Sequence, residues 1–261
     1  MTNRQNRLLI CVLGLCGACT PNIYSPPARF ALLDIPETVR RGDHAISAVG
    51  GLERSLDSAN ASFGGVTYRT GIGETLEAGV DATVAWVGDS NCDSDSDCSS
   101  TADPAIDNVV YSGRAQVKWS IVPGKVSLVS GLGGGHNFDA GSYISPDLGV
   151  VVGYPIGSFT PFGGATMFFS QPIATKRVDV SFGEDPRGSR WDEAAQTLGW
   201  YVHAGVSYST PRPPTGARSR IQYRMKFGVN AFGLEELEKS PDNVRHNALG
   251  LGFQIGPELV F

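Results

Sequence analysis

Hydrolysis in an exported chain would require a serine nucleophile, a histidine within reach of it and a group to orient the histidine. Four histidines are present, His44, His136, His203 and His246. His203 and Ser207 share one face of an alternating stretch, but they stand four residues apart. That is about 13 Å along an extended chain, too far to pass a proton. His136-Asn137 and His246-Asn247 sit near the ends of strand-like stretches with no nucleophile motif beside them. No phosphate loop, zinc spacing or dinucleotide fingerprint occurs. The glycines of 131–135 (GLGGG) precede no helical pattern. The expectation is a protein with no enzymatic activity, no cofactor and no catalytic metal.

The loop 88–98 (GDSNCDSDSDC) carries Asp93, Asp95 and Asp97, which resemble the start of a calcium-binding loop. Cys98 stands where such a loop needs its glycine, and Pro104 where it needs its last acid. A solvated loop tip closed by a Cys92–Cys98 disulfide is the plainer reading, with weak divalent-ion binding as the alternative.

Charge at mid-strand positions offers the other chemistry. Glu77, Asp81, Arg114, Lys118, Arg220, Arg224 and Lys226 all fall on the polar face of alternating stretches. If the stretches around residues 76 and 119 are antiparallel neighbours, one register sets Glu77 opposite Lys118 and Asp81 opposite Arg114. Charges enclosed in a lumen must be paired, so an interior ion-pair ladder is expected before a charge-lined pore. Arg220, Arg224 and Lys226 leave an excess of positive charge with Glu258 as the nearby acid. That makes them the best candidates for contact with an anion or ligand, unless Asp147 or Glu53 neutralises them.

These residues need strands to position them. Of 261 residues, 33 are glycine and 18% are charged, with a mean hydropathy of −0.09. This much glycine argues against a helix bundle, the low charge argues against a disordered chain, and no apolar run approaches the ~18 residues of a membrane helix. Period-two alternation begins at His44. In 109–121, Val109, Tyr111, Ala115, Val117, Trp119 and Ile121 oppose Ser112, Arg114, Gln116 and Lys118; 220–231 repeats the pattern. Ten strands are expected near 44–54, 61–72, 75–87, 107–121, 126–136, 144–154, 158–170, 195–209, 218–231 and 245–261. The period is ambiguous in FTPFGGATMFF, so a count of eight also fits.

The strands are long, about what a tilted strand needs to cross a bilayer. The connections near 71–74, 122–125, 154–157 and 210–219 are short or turn-like. Those at 55–60, 88–106, 137–143, 171–194 and 232–244 are mostly longer and more polar, the layout of an outer-membrane barrel. Trp86, Trp119, Tyr111, Tyr208 and Phe261 lie near strand ends on the apolar face, as interfacial girdles do. The fold class expected is all-β, an antiparallel up-and-down transmembrane β-barrel.

The N-terminus has the three parts of an export signal: Arg4 and Arg7, an apolar stretch from Leu8 to Leu15, then small residues. Cys16-Gly17-Ala18-Cys19 resembles the lipobox of bacterial lipoproteins, with Cys16 where leucine is usual. That resemblance implies lipidation at Cys19, and Thr20 after it implies sorting to the outer membrane; plain signal cleavage is the alternative. The expected organisation is a signal peptide at 1–18, a periplasmic tether at 19–43, where Pro21, Pro26, Pro27 and Pro36 interrupt any period, and an outer-membrane barrel at 44–261. Loss of the signal leaves 19 basic against 26 acidic residues, which argues against a nucleic-acid partner. Cys11 and Cys16 leave with the signal and Cys19 takes lipid, so Cys92 and Cys98 remain as an even pair, favouring a disulfide.

Leu249, Leu251, Phe253, Ile255, Pro257, Leu259 and Phe261 alternate to the last residue. This ending resembles the β-signal by which outer-membrane proteins are recognised for insertion, and Pro257 departs from it. The resemblance implies Phe253, Leu259 and Phe261 as the insertion signal and the barrel-assembly machinery and outer-membrane lipid as partners. The stretch 66–169 is similar in pattern to the bacterial outer-membrane β-barrel proteins of Gram-negative cells. Three readings follow: a barrel with a structural or surface-interaction role, a narrow porin-like pore for a small solute, and a soluble exported lipocalin-like barrel that binds an apolar ligand.

Overall fold

Alternation with a period of two becomes a wall with two unlike faces. The computed structural model describes residues 27–30, 33–55, 59–89, 109–137, 141–175, 178–180, 190–192, 196–211, 221–237 and 247–261. The strands are β1 (His44–Ser55), β2 (Ala59–Gly71), β3 (Leu76–Asp89), β4 (Val109–Val122), β5 (Val126–Asn137), β6 (Gly141–Gly153), β7 (Phe159–Thr175), β8 (Val178–Val180), β9 (Arg190–Asp192), β10 (Thr197–Ser209), β11 (Gln222–Glu236) and β12 (Asn247–Val260). Ten of them, all but β8 and β9, form one closed barrel of antiparallel neighbours in chain order. β8 and β9 make a separate two-stranded ribbon within the connection from β7 to β10. Ten wall strands replace the eight that also fitted the sequence.

β1 and β12 close the wall from Ala45–Val260 to Ser55–Gly250. The pairing skips Ala48 and Val49, which by the register fall opposite Pro257 and Gly256 respectively. A proline has no N–H to give the ladder. Both ends of the wall lie on the short-turn side, where the His44 N–H donates to the Phe261 carbonyl at 2.8 Å.

The apolar residues face outward. Leu52, Val80, Trp119, Leu132, Leu148, Met167, Val202, Val229, Leu251 and Phe253 are all exposed, Leu148 by 60%. The charged and amide side chains of the same strands face inward, with Arg69, Glu77, Lys118 and Glu258 each only 1% exposed. This polarity is the reverse of a soluble protein's and is that of a transmembrane barrel, whose apolar band meets lipid. Leu148→Arg puts a cation in the middle of that band, and we expect it to cost about 2–4 kcal/mol of stability in lipid. Urea unfolding in vesicles measures this, and an unchanged midpoint would contradict the outward-apolar assignment.

The phase of β7, ambiguous in the sequence, is set by its neighbour. Phe162 and Phe168 point inward while Met167 faces out. Across the ladder they meet Gly205 and Gly199, where no side chain competes for the space.

Candidate functional site

The lumen is where the sequence concentrates its chemistry, and it is filled. Ten strands spaced ~4.8 Å and tilted by about 40° give a backbone radius of roughly 10 Å. Many inward positions are glycine, so the wall's own side chains do not reach the axis everywhere. Residues 27–30 and 33–40 occupy that space as an irregular extended chain. Ala28, Phe30, Leu33, Ile35, Pro36 and Val39 are all buried within it. The sequence placed these residues in a periplasmic tether, whereas the structure runs them through the barrel. Wall glycines make the room. A β-carbon at Gly133 would lie 2.7 Å from the Ala28 β-carbon, one at Gly228 2.8 Å from Leu33 Cδ2, and one at Gly153 2.9 Å from the Pro36 ring.

Polar groups of the wall clasp this segment at the short-turn end. Glu77 Oε2 accepts the Val39 N–H at 2.6 Å. Lys118 Nζ donates to the Glu37 carbonyl at 3.0 Å and the Ile35 carbonyl at 3.4 Å. Ser127 Oγ donates to the Pro36 carbonyl at 2.6 Å, and Arg224 meets the Glu37 carboxylate at 2.7 Å. Higher up, the Gln254 amide donates to the Phe30 carbonyl at 3.1 Å, and the Tyr143 hydroxyl to the Pro27 carbonyl at 3.1 Å. Within the segment, Arg29 and Asp34 pair at 2.6 Å.

The wall charges form two clusters. In the ladder of β3 and β4, Glu77 stands opposite Lys118 and Asp81 opposite Arg114. Glu77 Oε1 takes Lys118 at 2.8 Å and Arg69 at 3.2 Å. Arg114 grips Asp147 with two parallel bonds of 2.5 and 2.6 Å, and reaches Asp81 at 2.8 Å and the Gln116 amide oxygen at 2.7 Å. Its guanidinium lies over Gly131, where any side chain would collide with it. Arg114, Asp81 and Asp147 make one cluster; the other centres on Glu258, which meets Arg224 at 3.1 Å, Lys226 at 2.6 Å and, in an ion pair across β1, Arg69, which joins it to Glu77 and Lys118. Arg224 and Lys226 are therefore neutralised within the barrel and are not an unspent positive patch. Glu53 is held by an amide, with Asn230 Nδ2 donating at 2.9 Å.

Among the described residues, the buried charges are six acids (Asp34, Glu53, Glu77, Asp81, Asp147, Glu258) and six bases (Arg29, Arg69, Arg114, Lys118, Arg224, Lys226). Between the segment and the wall of β1, β2 and β12 lies a cavity of about 20 Å³ bordered by Arg29, Asp34, Ser47, Thr67, Arg69 and Lys226, room for about one water molecule.

The remaining sequence candidates are scattered. His203 is buried beside Phe162, and His44 stacks between Tyr68 and Phe261 at the short-turn rim. His136 Nδ1 lies 2.9 Å from Ser142 Oγ, its direct partner across β5 and β6. Phe253, Leu259 and Phe261 are exposed on the outer face. Cys19, Cys92, Cys98, Arg220 and His246 lie outside the described residues. The 27–40 segment is what sequence reasoning passed over, and Arg69, a mid-strand charge of the polar face, was not placed among the lumen ion pairs. The one available signal was the apolar content of 28–39, which exceeds what a solvated tether needs.

No family model matches this chain, and neither does any curated protein. Three solved structures to which it is similar are bacterial. The β domain of the Bordetella autotransporter BrkA aligns at 10% identity over 82% of this chain and 97% of that one, with a TM-score of 0.42. The outer membrane protease OmpT of Escherichia coli aligns at 11% identity over 88% and 98%, with a TM-score of 0.37. The N-terminal β-barrel domain of Pseudomonas aeruginosa OprF aligns at 10% identity over 85% and 98%, with a TM-score of 0.32.

Proposed function

We propose that this chain is an outer-membrane β-barrel, exported through residues 1–18 and lipidated at Cys19, that is sealed by its own N-terminal segment and acts through its surface loops. The observation that carries this reading is the clasped segment 27–40. A chain locked by Glu77, Lys118, Ser127 and Arg224 fills the axis along which a solute would travel. With as many acids as bases buried in the lumen, its ion pairs brace a closed wall and attract no particular ion. The long connections on the side away from His44 and Phe261, among them the 90–108 loop with Cys92 and Cys98, are then the parts offered to a surface partner. Catalysis has no place in this reading, and the His136–Ser142 contact is where an esterase assay of the purified protein could overturn it. The direct test is conductance. Full-length protein in a planar bilayer is expected to give no stepwise current; steady single-channel steps would favour the narrow-pore reading instead.

A further inference from the structure

The direction in which residues 27–40 cross the lumen decides which mouth the upstream chain leaves by. Heights follow from the wall partners. Arg41 bridges Gly71 at the short-turn rim, and Val39 meets Glu77, the second residue of β3. Pro36 lies at Ser127 and Gly153, one residue from the start of β5 and the last of β6. Leu33 rests on Gly228 near the middle of β11, and the Phe30 carbonyl takes Gln254 from the middle of β12. Ala28 packs at Gly133, in the upper half of β5. Pro27 meets Tyr143, the third residue of β6 counted from the long-loop side. Leu33 and Phe30 share one rung, since Gly228 pairs with Gln254, and from Val39 to Pro27 the contacts run from the short-turn rim to the long-loop half of the wall.

We infer that the chain upstream of Pro27 leaves through the long-loop mouth, so that Cys19 and any lipid it carries lie on the face of the barrel opposite Phe261. The inference rests on the transmembrane reading proposed above. With the short turns in the periplasm, it puts the modified N-terminus at the cell surface. The sequence expectation had Cys19 in the periplasm, at the start of the tether at 19–43. Cys19 stands eight positions before Pro27, a span of at most about 26–29 Å when fully extended. That barely equals the ~25 Å apolar height of such a barrel, and the return path through the lumen is already taken by residues 27–40. A lipid at Cys19 would therefore enter the leaflet on the loop side.

Sidedness is read with a membrane-impermeant maleimide on intact cells. The test chain carries Ser25→Cys with Cys92→Ser and Cys98→Ser, and the background chain serves as the blank. Ser94→Cys in the long loop and Lys125→Cys in a short turn, in the same background, mark the two faces. Heat-modifiable migration matching the unaltered chain confirms that each variant is folded. Ser25→Cys is expected to label on intact cells as strongly as Ser94→Cys, with Lys125→Cys labelling only after permeabilisation. Labelling of Ser25→Cys only after permeabilisation, or only after denaturation, overturns the inference and leaves the transmembrane reading standing. Equal labelling of Ser94→Cys and Lys125→Cys on intact cells would instead remove the transmembrane reading, and the inference with it.

Discussion

Glu258→Gln is expected to lower the unfolding free energy by about 3–5 kcal/mol, the range found when one partner of a buried ion pair is removed. Glu258 is the shared counter-ion of Arg69, Arg224 and Lys226, all buried. A neutral amide keeps the volume but removes the charge, leaving Arg69 to Glu77 and Arg224 to Glu37, while no other acid is paired with Lys226 among the described residues. The measurement is urea unfolding in lipid vesicles followed by tryptophan fluorescence. Glu74→Gln, at an exposed turn position, is the control and should shift stability by under about 0.5 kcal/mol. Adding Lys226→Gln to Glu258→Gln removes the cation left most exposed by the first change, so the double variant should recover part of the loss. If Glu258→Gln behaves like the control, the cluster is hydrated and does not brace the wall.

That cluster also marks the limit of what the sequence made legible. Which residues share a face and the register of β3 on β4 could be read because alternation is a local property, and a shift of one residue would turn every side chain to the wrong face, while the count stayed open between eight and ten strands. The coordination of Glu258 could not be read that way. Arg69 sits on β2 and Glu258 on β12, close only because β1 closes the barrel between them. From the sequence, Arg224 and Lys226 therefore looked undercompensated. The segment 27–40 was hidden for a different reason. A strand in a wall has one wet or lipid-facing side and one packed side, which imprints a period. An extended chain enclosed by wall on every side needs no period, so Phe30, Leu33, Ile35 and Val39 are spaced irregularly. Pro27 and Pro36 then read as loop. The inward glycines were visible, but their purpose was not. A glycine opposite a plug and a glycine relieving curvature look the same in one sequence.

Removing the segment should open the barrel. A chain lacking residues 20–40 keeps residues 1–19, the proposed export and lipidation signal, and every wall strand, and it is expected to give stepwise conductance in a planar bilayer where the full-length chain gives none. The argument is one of volume. An eight-stranded barrel is about filled by its own side chains, whereas this ten-stranded wall places glycine at 133, 153 and 228, where Ala28, Pro36 and Leu33 of the segment take the space. The deletion also takes two acids and two bases, Asp34, Glu37, Arg29 and Arg40; of these Asp34 and Arg29 are buried, so five acids and five bases stay buried among the described wall residues. The open lumen should therefore pass cations and anions with little preference, seen as a reversal potential near zero under a salt gradient. The wall loses the clasps on Glu77, Lys118 and Ser127, but those groups would face water, which can satisfy them, so the barrel should still assemble and migrate in a heat-modifiable way. An assembled deletion chain with no conductance would mean that the wall collapses onto its own axis without the segment. The seal would then belong to the strands, and the 27–40 segment would be packing alone.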